Sequence, residues 1–539
     1  MVKIQPWTDN VQSHAKAAPP HSKQRGFRRS LNAMITVLRR IALMALLTYP
    51  ALATAQIADS VEAFATAADH FISGALDAVG VVPGVAVAVV HGDDTVYLRG
   101  FGLADREADV AATPEALFYI ASSTKSFTAL AAVLLDARGE LDLDASLAHY
   151  LPMVDFDPAV KADSVTLRHL ITHTAGLDND AIVFRTAFSG DHTLEVLLEV
   201  MNATTPSVES LGVFSYTNLG YNILSFILDR ETGMPWQDLL REMIFEPLGM
   251  DRTTAYASLP RQEGWPVAAP YFGLHPDGVK RLYLEKQDNT MQAAGGTLST
   301  AADLARWIEV QLNDGRLDGR QVFPEAVIRA THQRHAKTDA EFGPFKRGGY
   351  GLGWYVGTYQ EDQLLHHFGS FAGFRSHVSF MPEHDLGVAV VVNEGSVGSQ
   401  LADLFATFAY DWWLGKPDVE TKYAAMAEPF PGMVEQQQGR IAAGLARRAE
   451  RQWTLSAPLE AYTGTYVSLL YGTLTITIEE GVLAARIGNL HAVSTPYTAP
   501  NTIRVEFVPF RGEVIGFELG DDGKAVRARY DDAVFERKE

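Results

Sequence analysis

A chain of 539 residues exceeds what one hydrophobic core organises, so two or more domains are expected. Hydrophobic residues at 47% and charged residues at 20% exclude a wholly disordered, collagen-like or multi-span membrane protein. A formal net charge of -20 repels phosphate and argues against nucleic acid as a partner, and the lack of cysteine excludes disulfides, thiolate catalysis and cysteine-ligated metal sites.

Residues 1–55 read as a targeting segment. Arg39 and Arg40 precede the short apolar run Ile41–Leu47, and Ala51-Leu52-Ala53-Thr54-Ala55-Gln56 sets small residues at alternate positions, the pattern of a secretory signal cut after Ala55. Met34 would itself open a compact signal. The competing reading is an uncleaved anchor, but the apolar run is too short to span a bilayer. This leader holds eight basic residues and one acid, so the chain beyond it is more acidic than -20 implies. The expected location is a bacterial periplasm or exterior, with no stable membrane span after cleavage.

Gly84–Val90 reads as an apolar strand, His91-Gly92-Asp93-Asp94 as a turn and Thr95–Leu98 as a returning strand. A helix begins near Ser122, with Phe127, Leu130, Val133 and Leu134 at helical spacing, and Gly139 ends it after Arg138. Helical stretches follow at Leu194–Met201, Tyr221–Thr232, Trp236–Ile244 and Ala302–Leu312. Strands return at Gly353–Val356, Ser376–Phe380 and Leu386–Asn393. Early strands, a helical middle and late strands imply an α+β domain over 56–415, its antiparallel sheet completed by both chain ends. Residues 416–458 read as a linker, with Gln437–Arg451 suited to an exposed helix. From 459 to 539 the pattern is all-β. Leu474–Ile478, Val482–Ile487, Ile503–Phe507 and Val514–Leu519 are separated by turns such as Asp521-Asp522-Gly523, as in a small barrel or sandwich.

Ser122-Ser123-Thr124-Lys125 carries the chemistry. Residues three apart share a helix face, so the Lys125 amine comes within reach of the Ser122 hydroxyl. A hydroxyl becomes a useful nucleophile when a base removes its proton, and a desolvated lysine supplies one. Taken alone, the pattern also fits a capping serine with a solvated lysine. Tyr216 and Asn218 precede a second helix, offering a phenol for proton transfer and an amide for orientation. His367-Phe368-Gly369-Ser370 precedes a late strand. There Gly369 allows substrate backbone to approach, and the N–H groups of Ser370 and Ser122 form a two-donor oxyanion hole.

Ser122-x-x-Lys125, Tyr216-x-Asn218 and His367-x-Gly369, in this order, resemble the three motifs of serine β-lactamase-like hydrolases. These include class C β-lactamases, penicillin-binding peptidases, D-aminopeptidases and related esterases. Leu170–Leu177, Pro247–Met250, Gly295–Thr300 and Tyr350–Trp354 add to the likeness, which covers about residues 60–415. Residues 459–539 resemble the lipocalin-like barrel appended to some of these enzymes. The resemblance implies a β-lactamase/transpeptidase-like α+β domain with a helical subdomain, needing neither metal nor cofactor. It makes Ser122 the acylated nucleophile, Lys125 its partner, Tyr216 general base and then acid, and Asn218 a positioning group.

His367 stands where the β-lactamases and penicillin-binding peptidases carry lysine. A histidine is mostly neutral at pH 7, which favours the peptidase and esterase branches, and Arg375 is the candidate replacement charge for a substrate carboxylate. Its other reading is a surface arginine. His169 and His173 share the i, i+4 spacing of zinc ligands, but Leu170 stands where zinc peptidases carry glutamate, so both read as structural. His366 and His367 are strand neighbours facing opposite ways, and the glycine spacing selects His367 for the cleft.

The expectation is therefore an exported serine hydrolase cleaving amide bonds in small linear or D-amino-acid-containing peptides. The domain plan also resembles that of the peptidases that cut linearised microcystin, a nonribosomal peptide. Ester hydrolysis and β-lactam hydrolysis are the alternatives within the class, and a non-catalytic periplasmic ligand-binding or sensor protein is the alternative outside it.

Overall fold

The computed structural model describes residues 59–290, 292–531 and 533–538, so the targeting segment lies outside the described residues. Residues 59–64 are helical, and residues 65–539 form a compact unit of their own.

The main sheet has nine antiparallel strands, in the order Ala336–Phe342, Phe345–Tyr350, Tyr355–Tyr359, Asp362–Phe371, Phe374–Met381, Leu386–Val392, Gly84–His91, Asp94–Asp105 and Val110–Ala111. Gly84–His91 pairs with Leu386–Val392, joining the first strand to the last, as the sequence implies. Both strands are buried almost throughout because helices cover both faces of the sheet. The helix Val397–Trp413 lies on one face, where Tyr410 bonds Ser379. Ala301–Leu312 lies on the other face, where Ile308 fills the space beside Gly387.

The helix Thr124–Arg138 is buried from Thr124 through Leu135, its first turn carrying polar side chains and the rest mostly apolar ones. Gly139 ends it at φ 71, its N–H reaching the Asp136 and Leu135 carbonyls. Such a helix is a rigid mount for whatever its first turn carries.

Several elements differ from the sequence reading. The second strand runs on to Asp105 instead of stopping at Leu98. Trp236–Ile244 divides into an α-helix to Leu240 and a π-turn over Arg241–Phe245. The strand placed at Gly353 begins at Tyr355. Ala336–Phe342 and Phe345–Tyr350 are strands without an apolar alternation to mark them, since most of the first is exposed.

Residues 416–458 hold two helices, Val419–Ala427 and the 20-residue Phe430–Ala449. Beyond them a second nine-stranded antiparallel sheet curls into a nearly closed barrel, with Leu490–Val493 brought beside Thr502–Val508. The barrel's hairpins dock on the hydrolase domain. Arg185 donates to the carbonyls of Leu469 and Leu470 at 2.8 and 2.7 Å, and the Thr473 N–H donates to Asp191 at 2.9 Å. Phe371, at the end of its strand, packs against the barrel core. One wall beside the third motif is therefore barrel.

Candidate active site

Ser122 sits in a turn that the rest of the site holds in place. Ala121 adopts the left-handed φ of 47 that non-glycine residues avoid, and a short 3-10 turn over Ala121–Ser123 then feeds the helix. Ser123 is buried, and its hydroxyl donates to the His367 carbonyl at 2.8 Å. The Ser376 hydroxyl donates to the Ile120 carbonyl at 2.7 Å. These bonds tie the first motif to the third.

Gly369 completes the tie. A side-chain carbon there would lie 1.8 Å from the Ile120 oxygen and 2.4 Å from the Ser376 hydroxyl. The space that sequence reasoning reserved for substrate backbone is thus filled by the protein's own chain, two residues before Ser122.

Lys125 is fully buried. Its amine donates to Asn218 Oδ1 at 2.7 Å and the Ala294 carbonyl at 2.6 Å, and lies 3.3 Å from Ser122 Oγ. It also lies 5.0 Å from the Tyr216 ring centre and 5.4 Å from that of Tyr221. It forms no ion pair among the described residues, and burial pulls its pKa down to about 7. A neutral amine one hydrogen bond from the hydroxyl is a competent proton acceptor. Asn218 occupies the N-cap position of Leu219–Thr232, yet its side chain makes no capping bond and serves Lys125 instead.

Tyr216 is 39% exposed, with the Lys125 amine 5.0 Å from its ring centre and its phenol near enough to Ser122 to feel that hydroxyl. Protein packed around the phenol raises its pKa, and the Ser122 contact offsets only part of that rise. A raised pKa keeps the phenol protonated at neutral pH, the form that can donate a proton.

His173 backs this tyrosine. The helix Leu167–Ile171 stops before it, and His173 takes a left-handed φ of 58. Its ring lies 4.4 Å from that of Tyr216, and the Thr217 N–H donates to its Nδ1 at 3.4 Å. His169 turns away to close the N-terminus of the same helix, its Nδ1 accepting from the Thr166 N–H. The two histidines thus do not share a helix face. Among the described residues no cluster of three or more histidine, aspartate or glutamate side chains is arranged to hold a metal.

His367 is buried, and its Nε2 lies 3.1 Å from the Tyr350 hydroxyl. Burial, reinforced by Lys125, keeps its pKa well below the usual histidine value, so it is a neutral ring. His366 is equally buried on the opposite face, where it accepts from Arg347 at 3.0 Å. Ser370, next to Gly369, is exposed.

Arg375 departs from both expectations. Gly369 is in register with Ser376, which faces the Ser122 turn, so alternation sends Arg375 to the far face. There it is buried, 3.3 Å from Asp403 and 4.8 Å from the Phe368 ring centre. It reaches neither the cleft nor the surface.

Sequence reasoning did not identify Ala294, Tyr350 or His173 as parts of the site. Ala294 and Tyr350 border the stretches Gly295–Thr300 and Tyr350–Trp354 that carry the resemblance, which is the available signal. His173 was visible as half of a histidine pair and as part of the stretch Leu170–Leu177.

The chain matches the family model described as Beta-lactamase over residues 70–409. It is 29% identical over 354 residues to penicillin-binding protein 4 of Amycolatopsis lactamdurans, covering 65% of this chain and 90% of that protein. It is 23% identical over 318 residues to protein flp of Staphylococcus aureus, spanning only 61% of flp. Among solved structures, D-amino acid amidase from Ochrobactrum anthropi SV3, complexed with L-phenylalanine amide, aligns with a TM-score of 0.54 at 25% identity. That alignment covers 66% of this chain and 99% of the amidase. The octameric penicillin-binding protein homologue from Pyrococcus abyssi shares the fold, with a TM-score of 0.55 at 24% identity over 87% of this chain and 98% of that one. With well over half of its length matched, the chain belongs to the Beta-lactamase family and is a serine hydrolase.

Proposed function

We propose that the protein cleaves amide bonds in small linear or D-amino-acid-containing peptides through an acyl-enzyme on Ser122. The observation that carries this reading is the buried Lys125 amine, without a carboxylate partner among the described residues, against the Ser122 hydroxyl. In this account Lys125 takes the Ser122 proton as Oγ bonds to the carbonyl carbon. The negative charge on the carbonyl oxygen is met by the N–H groups of Ser122 and Ser370. As the C–N bond breaks, the Tyr216 hydroxyl protonates the leaving amine and is itself reprotonated from Lys125. Water then attacks the acyl ester, passing a proton to Lys125, and Ser122 regains its proton as it leaves.

A neutral His367 supplies no fixed charge where the β-lactamases carry lysine, which counts against a dedicated β-lactamase. The amide substrate class is also supported by the likeness to D-amino acid amidase. Linearised microcystin is the specific peptide candidate, resting on the likeness of domain plan. We place the enzyme outside the cytoplasm, after removal of residues 1–55, on the leader pattern. Among the described residues no helix is long and apolar enough to cross a membrane.

The test is a screen of purified protein against linear peptides with D residues, p-nitrophenyl esters and a chromogenic cephalosporin. Peptide cleavage lost in Ser122→Ala is expected. Rapid cephalosporin turnover without peptide cleavage would overturn the substrate class. Peptide binding without turnover of any substrate would overturn the hydrolase reading in favour of a binding protein.

A further inference from the structure

A cavity of about 760 Å³ lies beside the acylation site, lined in part by Tyr119, Phe371, Phe374 and Lys286. Tyr119 is three residues before Ser122, and Phe371 directly follows Ser370. The volume suits a peptide of a few residues. Most of its charges are matched: Arg281 pairs with Asp105 and Glu285 at 2.9 Å each, and Arg261 pairs with Glu285 at 3.2 Å.

Two lining charges have no ion pair among the described residues: Asp288, which accepts from the Ser258 N–H and hydroxyl, and Lys286. The Lys286 amine donates to the Ala187 carbonyl. The amine lies 3.8 Å from the Phe371 ring centre, 5.4 Å from that of Phe188 and 5.9 Å from that of Tyr119. The barrel holds this arrangement. Leu284 is part of the barrel core, the Tyr283 hydroxyl donates to the Phe507 carbonyl, and Phe188 and Phe371 pack on the same core. An amine among aromatic faces, without an acid of its own, is built to meet an anion carried by the ligand.

We propose that Lys286 receives a substrate carboxylate in this cavity, so that the enzyme selects linear peptides with a free C-terminus and an apolar or aromatic side chain beside it. This rests on the reading of Ser122 as the acylated nucleophile. The site takes over the carboxylate recognition that His367 and Arg375 do not supply. Burial draws the Lys286 pKa down to about 7, and a bound carboxylate restores the charged form. The barrel then acts as a selectivity element, fixing the segment that presents Lys286.

The test compares a D-residue-containing tripeptide acid with its C-terminal N-methylamide, using the full-length protein. The wild type is expected to show kcat/KM for the acid at least about tenfold above that for the methylamide. Lys286→Met should reduce the preference to within about threefold, and Lys286→Arg should retain part of it. Equal wild-type values for the two peptides, or an unchanged preference in Lys286→Met, would overturn the proposal. The wild-type comparison decides the matter even if Lys286→Met fails to fold. Calorimetric binding to Ser122→Ala separates the two readings. Tighter binding of the acid without turnover by the wild type sinks the hydrolase reading and keeps the Lys286 site. Turnover by the wild type with equal binding of acid and methylamide sinks the Lys286 site alone.

Discussion

Replacing Gly369 by alanine tests whether the third motif holds the nucleophile. The added carbon would lie 1.8 Å from the Ile120 oxygen and 2.8 Å from its carbonyl carbon, both backbone atoms that no side-chain rotation clears. Restoring ordinary contact requires a retreat of roughly 1.5 Å. The Ile120 oxygen accepts from the Ser376 hydroxyl and from the Ser123 N–H, so its retreat strains both bonds and carries Ala121 and Ser122 with it. A misplacement of about 1 Å costs about 100-fold in rate, or about 2.7 kcal/mol of transition-state stabilisation. Overpacking adds about 1–3 kcal/mol of lost stability. The assay is kcat/KM on a p-nitrophenyl ester and on a peptide, with thermal unfolding alongside. Activity within threefold of wild type would mean that the turn tolerates the displacement and is not held by the third motif. Gly139→Ala is the control. It also sits at positive φ but meets nothing within 4 Å, so it should lose about 1 kcal/mol of stability and leave kcat/KM unchanged.

Three further outcomes follow from the site. With the Lys125 pKa at about 7, kcat/KM should fall tenfold per pH unit below that value as the amine takes a proton and ceases to be a base, and level off above it. A flat pH–rate profile between pH 5.5 and 8 would contradict the base role. Tyr216→Phe should slow peptide cleavage about 100-fold but ester cleavage less than tenfold, since p-nitrophenolate leaves without a proton. Equal losses on both substrates would point to a structural role. Arg375→Met should cost about 1–3 kcal/mol in urea unfolding, since Asp403 loses the Arg375 guanidinium and keeps only the His377 ring at 2.8 Å, with KM for peptide acids unchanged. A large KM increase without loss of stability would restore Arg375 to the cleft.

The three motifs and their order were legible in the sequence because each is local. Ser122 and Lys125 share one helical turn, and Tyr216 and Asn218 one loop. Strand register was not legible. Arg375 reads from the sequence as either a cleft charge or a surface arginine, because nothing local shows that Ser376 pairs with Gly369 and faces the Ser122 turn. Gly369 was visible as a gap, but not that Ile120 fills it. The edge strand Ala336–Phe342 and its neighbour Phe345–Tyr350 lack the alternation that marked Leu474–Ile478, since solvent covers much of their surface. Lys286 carries no local signature at all. Its surroundings come from Ala187, Phe188 and Phe371, together with the barrel that holds them.

The most direct test of the central claim is mass spectrometry of the protein after reaction with a peptide-like phosphonate. The account predicts one covalent adduct per chain, mapped to Ser122, formed more slowly below pH 7 and absent from Ser122→Ala. An adduct on another residue, or undiminished turnover by Ser122→Ala, would contradict it.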